Sequence, residues 1–287
     1  MKHVIIGAGP AGVIAAEQIR KLDAGATVTI IGDEPEPPYS RMALPYYLIK
    51  QIDEAGTYLR KSDRHFADRG IEIRRDRVTA VDLDGHRLQL ESGGDESFDK
   101  LLVATGSTPV RPPIPGMDLP GVHSCWTLAD GRAIAAAAQP GAKVVLMGAG
   151  FIGCIILEAL ARSGADLTVV EMGDRMVPRM MNDTAGNMIK DWCHDKGVTV
   201  HTSTRVESIE EGGPGGARFA VNLSHGETVP ADLVVSATGV KPNLAFLEGT
   251  PLETASGILI NEHMQTSHPD VFAAGDVAEG RDFSTGD

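Results

Sequence analysis

The sequence predicts an α/β protein built from two doubly wound units, each carrying a small antiparallel sheet. Three observations lead there. A pattern of strand, glycine turn, helix, strand and acid occurs twice. Both turns read GxGxxG, as Gly7-Ala8-Gly9-Pro10-Ala11-Gly12 and Gly148-Ala149-Gly150-Phe151-Ile152-Gly153. The landmarks after each turn then recur in the same order, as expected of a duplicated plan.

The elements follow in order. Val4-Ile5-Ile6 is a short β-branched run and reads as a strand. Beyond the first turn, Val13, Ile14, Ile19 and Leu22 keep a helical period that closes at Gly25. Strand Val28-Thr29-Ile30-Ile31 follows and ends before Asp33. The second copy has strand Val144-Val145-Leu146-Met147, a helix through Ile156, Leu157 and Leu160 to Gly164, and strand Leu167-Thr168-Val169-Val170 before Glu171. Asp68-Arg69-Gly70-Ile71-Glu72-Ile73 answers Asp195-Lys196-Gly197-Val198-Thr199-Val200, and Arg77-Val78 answers Arg205-Val206. Asp99 to Gly106 answers Asp232 to Gly239, each ending in Ala-Thr-Gly. The alternating segments 78–90, around Asp84-Gly85, and 218–229 read as hairpins.

Composition excludes several function classes. The chain has 287 residues, 42% hydrophobic and 23% charged, which is globular usage. Its 26 basic and 39 acidic residues give a net charge of −13, so there is no basic footprint for nucleic acid or an anionic membrane. No apolar run approaches the roughly 20 residues of a membrane helix, and no secretory leader is seen. Cys125, Cys154 and Cys193 are widely spaced, with no CxxC, so neither a metal ribbon nor a neighbouring redox pair is expected. No metal site is expected at all. The sparse, odd count suits a cytoplasmic protein with reduced thiols.

GxGxxG between strand and helix holds a dinucleotide pyrophosphate. Its first Gly allows the tight turn, the second lets the backbone approach phosphate, and the third lets helix and strand pack closely. The helix N-terminus adds free N–H groups. An acid about 20 residues on takes the ribose hydroxyls. Here Asp33 lies 21 residues after the third Gly of the first copy, and Glu171 lies 18 after that of the second. Such turns also serve packing alone, and strand-end acids are also merely solvated. Recurrence in one context favours ligand binding.

Taken together, these residues resemble the pyridine nucleotide-disulfide oxidoreductase family of two-dinucleotide flavoproteins. Val271-Phe272-Ala273-Ala274-Gly275-Asp276 is similar to the family's flavin-binding Gly-Asp motif, and Ala237-Thr238-Gly239-Val240-Lys241-Pro242-Asn243 to the end of its nicotinamide domain. Pro38-Tyr39-Ser40-Arg41-Met42-Ala43-Leu44-Pro45-Tyr46-Tyr47-Leu48 resembles the nitrite-reductase, coenzyme-A-disulfide-reductase and ferredoxin/rubredoxin-reductase branches. The resemblance implies FAD contacts from Gly7, Gly9, Pro10, Ala11, Gly12, Asp33, Glu34, Arg41, Val78, Ala104, Thr105, Gly106, Gly275 and Asp276. It implies NAD contacts from Gly148, Gly150, Phe151, Ile152, Gly153, Glu171, Thr238 and Gly239. It also implies a discontinuous FAD domain over 1–112 and 245–287, incomplete at its C-terminus, with an NAD(P)H domain inserted at 113–244.

Met42 stands where relatives with a single redox cysteine place it, Tyr46 where many carry Lys, and Ile155 where many carry Glu. The expected activity is therefore FAD-dependent NADH oxidation, with NADPH disfavoured and flavin as the sole redox group. Electrons pass to an unidentified acceptor: a small redox protein, a quinone-like molecule or oxygen. A thiol-disulfide reductase and a non-catalytic FAD/NADH sensor are the alternatives. Family members usually continue into an interface domain, so this chain is expected to be a monomer and a longer form a dimer.

Overall fold

The computed structural model describes residues 1–282. The chain divides into two compact units. One comprises Met1–Ser40, Tyr58–Thr108 and the segment from Lys241 on; the other comprises Arg41–Thr57 and Pro109–Val240.

In the first unit, a five-stranded parallel sheet runs in the order Val271–Ala273, Lys100–Val103, Lys2–Ile6, Thr27–Gly32, Ile71–Arg75. Its central strands are apolar almost throughout because both faces are covered. Ile5, Val28 and Ile30 pack under the helix Pro10–Leu22 with Val13 and Ala16. Val4, Ile6, Ile31, Leu101 and Val103 face the other way, onto the antiparallel strands Val78–Asp82, Arg87–Leu90 and Asp95–Ser97 and the residues around Leu247 and Ile258. Arg60 grips the helix through a two-pronged contact with Glu17, Nε on Oε1 at 2.7 Å and Nη2 on Oε2.

The second unit repeats the plan. Its parallel sheet runs Thr199–His201, Asp166–Val170, Lys143–Met147, Leu233–Ser236, Val122–His123. The antiparallel strands Val206–Glu211, Phe219–Leu223 and Thr228–Ala231 cover one face, where fully buried Phe219 and Val221 meet Val145, Met147 and Val234. Helices Leu128–Ala137, Phe151–Arg162 and Asp183–Asp195 complete it. Thr127 caps the first of these by a reciprocal box with Asp130, and Asn182 caps the last by accepting from Ala185 N.

Segment 41–57 packs with this second unit, whereas the sequence reading places it within 1–112. The reason is local packing. The short helix Leu44–Leu48 lies against Leu128–Ala137 and Phe151–Arg162, with Leu44 1% exposed. A side chain on Gly131 would come within 3.1 Å of Leu44 Cδ2. Arg132 then pairs with Glu54 through Nε at 2.8 Å and Nη2 at 2.6 Å.

Candidate functional site

The two glycine turns have the same construction. Gly7 has φ +113° and Gly148 φ +92°, a region that side chains rarely enter. A Cβ on Gly7 would lie 2.1 Å from the carbonyl oxygen of Ala104, and one on Gly148 would lie 2.6 Å from that of Ala237. Each first glycine thus abuts the Ala of its own unit's Ala-Thr-Gly. The third glycines meet their own turns: a Cβ on Gly12 would be 2.1 Å from Gly7 O, and one on Gly153 would be 2.2 Å from Gly148 O. The middle glycines, Gly9 and Gly150, face open space with nothing within 4 Å.

Gly9 and Gly150 are the N-caps of the helices Pro10–Leu22 and Phe151–Arg162, and neither cap is made by a side chain. No cap side chain covers the first-turn N–H groups. An anion placed there meets the positive end of the helix dipole. Pro10 and Ala11 in the first unit, and Phe151 and Ile152 in the second, are the first helical residues; Phe151 is 56% exposed.

The acids after the second strands differ. Asp33 is half exposed and pairs with Arg77 at 2.8 Å, while Glu34 accepts from the Tyr39 hydroxyl. Glu171 is only 8% exposed. Its Oε2 accepts from Ala149 N and its Oε1 from Gly173 N, both at 2.6 Å. It therefore braces the second glycine turn from below, a role that strand-end position alone did not reveal. A carboxylate has about four lone-pair sites, so acceptor capacity for ribose hydroxyls remains. Arg175 donates to Asp174 at 2.7 Å and to Met181 O at 2.9 Å, and pairs with Asp183 at 3.0 Å.

In the first unit, Gly275 brings the Gly-Asp motif to the fingerprint: at φ +81°, a Cβ there would be 3.3 Å from Ala11 Cβ. Ser107 Oγ donates to Asp276 Oδ2 at 2.8 Å. Thr105 and Gly106, φ +65°, form the bend after strand Lys100–Val103. Asn243 holds that bend. Its Nδ2 donates to Thr105 O at 2.9 Å, its N–H to Gly106 O at 3.0 Å, and its Oδ1 accepts from Thr108. The sequence signal for this residue is the Pro242-Asn243 pair that closes the second Ala-Thr-Gly motif. Val78 is buried at the start of its strand. Arg41 lies in the second unit with its guanidinium 5.1 Å from the Trp126 ring centroid. In the second unit Thr238 Oγ1 donates to Val110 O at 3.2 Å, and Gly239 O accepts from Val110 N.

The cysteines are free thiols. Burial, then the charge of Asp130, pushes Cys125 up to about 12; burial, then Cys193 and Glu171, pushes Cys154 up to about 11. Burial raises Cys193 as well. Met42 is 63% exposed.

Paired glycine turns of this build define a protein with two dinucleotide-binding α/β units. Comparison with known proteins carries this further: residues 1–285 match the pyridine nucleotide-disulphide oxidoreductase family. The chain belongs to this family of FAD-dependent NAD(P)H oxidoreductases. It is 34% identical to the epsilon subunit of the NADH-dependent phenylglyoxylate dehydrogenase of Aromatoleum evansii, across 99% of this chain and 67% of that one. It is also 34% identical to the ferredoxin–NAD(+) reductase component of the biphenyl dioxygenase system of Paraburkholderia xenovorans, across 96% and 66%. Its fold matches the crystal structure of a ferredoxin reductase from Rhodopseudomonas palustris with a TM-score of 0.92 at 31% identity, covering 100% of this chain and 70% of that one. The chain thus spans about two thirds of the length of these relatives. Among the described residues, no helix is long and apolar enough to cross a membrane.

Proposed function

We propose that this chain binds FAD at the first glycine turn and NADH at the second, and passes electrons from NADH through flavin to a small redox protein. The observation that carries the reading is the doubled cradle. Both turns have the first and third glycines filled by backbone and the middle one open, above an uncapped helix N-terminus. FAD, when bound, supplies the hydride acceptor and the stepwise electron donor.

The residues supply binding and orientation. Gly9 and Gly150 admit the pyrophosphates to the helix N–H groups. Ala104, Thr105 and Gly106 form the wall behind the first turn, held by Asn243, and Thr238 and Gly239 follow the wall of the second. Asp276, oriented by Ser107, presents a hydrogen-bond acceptor at the flavin side, and Asp33 or Glu34 takes the adenosine ribose. Glu171 fixes the second turn and its negative charge in one place, which disfavours the 2′-phosphate of NADPH.

The redox-protein acceptor is supported by two of the relatives, which are ferredoxin reductases. Thiol-disulfide chemistry is disfavoured because its attacking species is a thiolate. Cys125 and Cys154 stay protonated at neutral pH, and a thioether occupies position 42. The test is a flavin spectrum of the purified protein, followed by NADH bleaching with a ferredoxin and with oxygen as acceptors. Rapid bleaching with turnover on ferredoxin is expected. Slow bleaching without turnover on either acceptor would favour a nucleotide sensor.

A further inference from the structure

The second unit carries metal-ligating side chains that the nucleotide chemistry does not use. His201 ends the edge strand Thr199–His201, and His225 and Glu227 sit in the turn between strands Phe219–Leu223 and Thr228–Ala231. The turn is closed by Gly226 N on Leu223 O at 2.9 Å and Leu223 N on Glu227 O at 2.8 Å. It brings the side chains of His225 and Glu227 beside His201. His225 Nε2 lies 3.0 Å from Glu227 Oε2, and His201 Nδ1 lies 4.0 Å from the same oxygen. The two imidazoles stack at 5.4 Å with their planes 28° apart, and one ligand atom from each of the three residues lies within 4.8 Å of the others.

We propose that His201, His225 and Glu227 form a binding site for a divalent transition-metal ion of the zinc type. Zinc takes imidazole nitrogen and carboxylate oxygen at about 2.0–2.2 Å in a tetrahedron, which sets neighbouring ligand atoms roughly 3.3 Å apart. The observed 3.0 and 4.0 Å bracket that spacing. His225 and Glu227 are exposed, so rotation about their side-chain bonds closes the remainder. Two imidazoles and one carboxylate suit zinc, whereas magnesium and calcium take oxygen ligands. Three protein ligands leave a position for water, and the cleft beside His201 and Glu227 is polar, bordered by Asp166, Thr168, Thr199 and Lys143. Lys143 is its one cation among the bordering residues, and its ammonium is turned towards Gly215. His201 O accepts the Glu171 N–H at 2.8 Å, so an ion here pins the strand beside the brace of the second glycine turn.

The site is not legible in the sequence because 23 residues lie between His201 and His225 and only the fold brings them together. The test uses flavin-loaded protein stripped of metal with a chelator, then titrated with zinc in competition with a chromophoric chelator. One zinc per chain is expected, with at least about tenfold weaker binding in His225→Gln and in Glu227→Gln, a loss of roughly 1.4 kcal/mol or more. Excess magnesium should not displace it. His225→Gln lies on an exposed turn and should leave the melting temperature and NADH turnover unchanged, so it remains informative even if His201→Gln folds poorly. Absence of stoichiometric zinc, or equal affinity in wild type and His225→Gln, would overturn the proposal.

Discussion

Gly12 and Gly153 leave no room for a side chain, because each faces a backbone carbonyl that cannot move without opening its turn. Gly12→Val should therefore abolish most flavin retention, and Gly153→Val should raise the KM for NADH at least tenfold while flavin stays bound. Absorbance at the flavin band and steady-state kinetics check both; yellow, fully loaded Gly12→Val protein would refute the first assignment. Glu171 carries a sharper prediction. A 2′-phosphate about 4 Å from a carboxylate, at an effective dielectric near 20, meets roughly 4 kcal/mol of repulsion per charge pair. Solvent reduces this, so kcat/KM should favour NADH over NADPH tenfold to hundredfold, about 1.4 to 2.7 kcal/mol. Arg175 is held by Asp174, Asp183 and the Met181 carbonyl, so it is not poised to receive that phosphate. Glu171→Gln removes the charge and keeps one acceptor for the turn. Its cofactor ratio should narrow while the NADH KM rises, and an unchanged ratio would remove Glu171 from the specificity argument.

At the scale of elements, the bend Ala104-Thr105-Gly106 depends on a residue far away in sequence. Asn243 bonds to Thr105, Gly106 and Thr108, and losing its side chain removes the amide donor from the partly buried Thr105 carbonyl and the acceptor from the exposed Thr108 hydroxyl. Asn243→Ala should cost about 1 to 3 kcal/mol in urea unfolding and lower flavin content with it. Normal flavin content in a destabilised variant would confine the residue to a purely structural role. The helices that bear the thiols give a pH prediction. Cys154 and Cys193 lie in Phe151–Arg162 and Asp183–Asp195, and Cys125 precedes Leu128–Ala137. Their folded pKa values lie above the unfolded ones, so the unfolded chain loses protons first as pH rises. The stability they contribute is complete below about 8.5 and drains away as pH climbs towards 11 to 12. Urea midpoints should fall across that window, and replacing all three cysteines by Ala should flatten the fall. Alkylation of the native protein at pH 8 should be slow and should accelerate on unfolding.

For the whole molecule, the prediction concerns the number of redox centres. Disulfide and thiolate–flavin chemistry need an activated thiol, and the described thiols are raised, not lowered. Anaerobic reductive titration should therefore take up two electrons per chain. Uptake of four, or a long-wavelength thiolate band, would show that a cysteine joins the flavin.

Sequence by itself determined the duplicated architecture, because its signals are local. Apolar runs, a glycine turn and a periodic helix fix each other over some 30 neighbouring residues, and the same order appears twice. It also marked which glycines matter, since their spacing follows from the geometry of one turn. Only the tertiary structure decided what those residues touch. That Gly7 rests on Ala104 and Gly148 on Ala237, that Asn243 ties down Thr105, and that Glu171 is bonded to Ala149 all depend on contacts between residues well apart in the chain. The placement of 41–57 with the second unit follows from the packing of Leu44 against Leu128–Ala137, and the meeting of His201 with His225 from a turn that ends beside the edge strand. Periodicity records which face of an element is apolar, not which partner covers it; that choice is made by shape and hydrogen bonding once the elements meet.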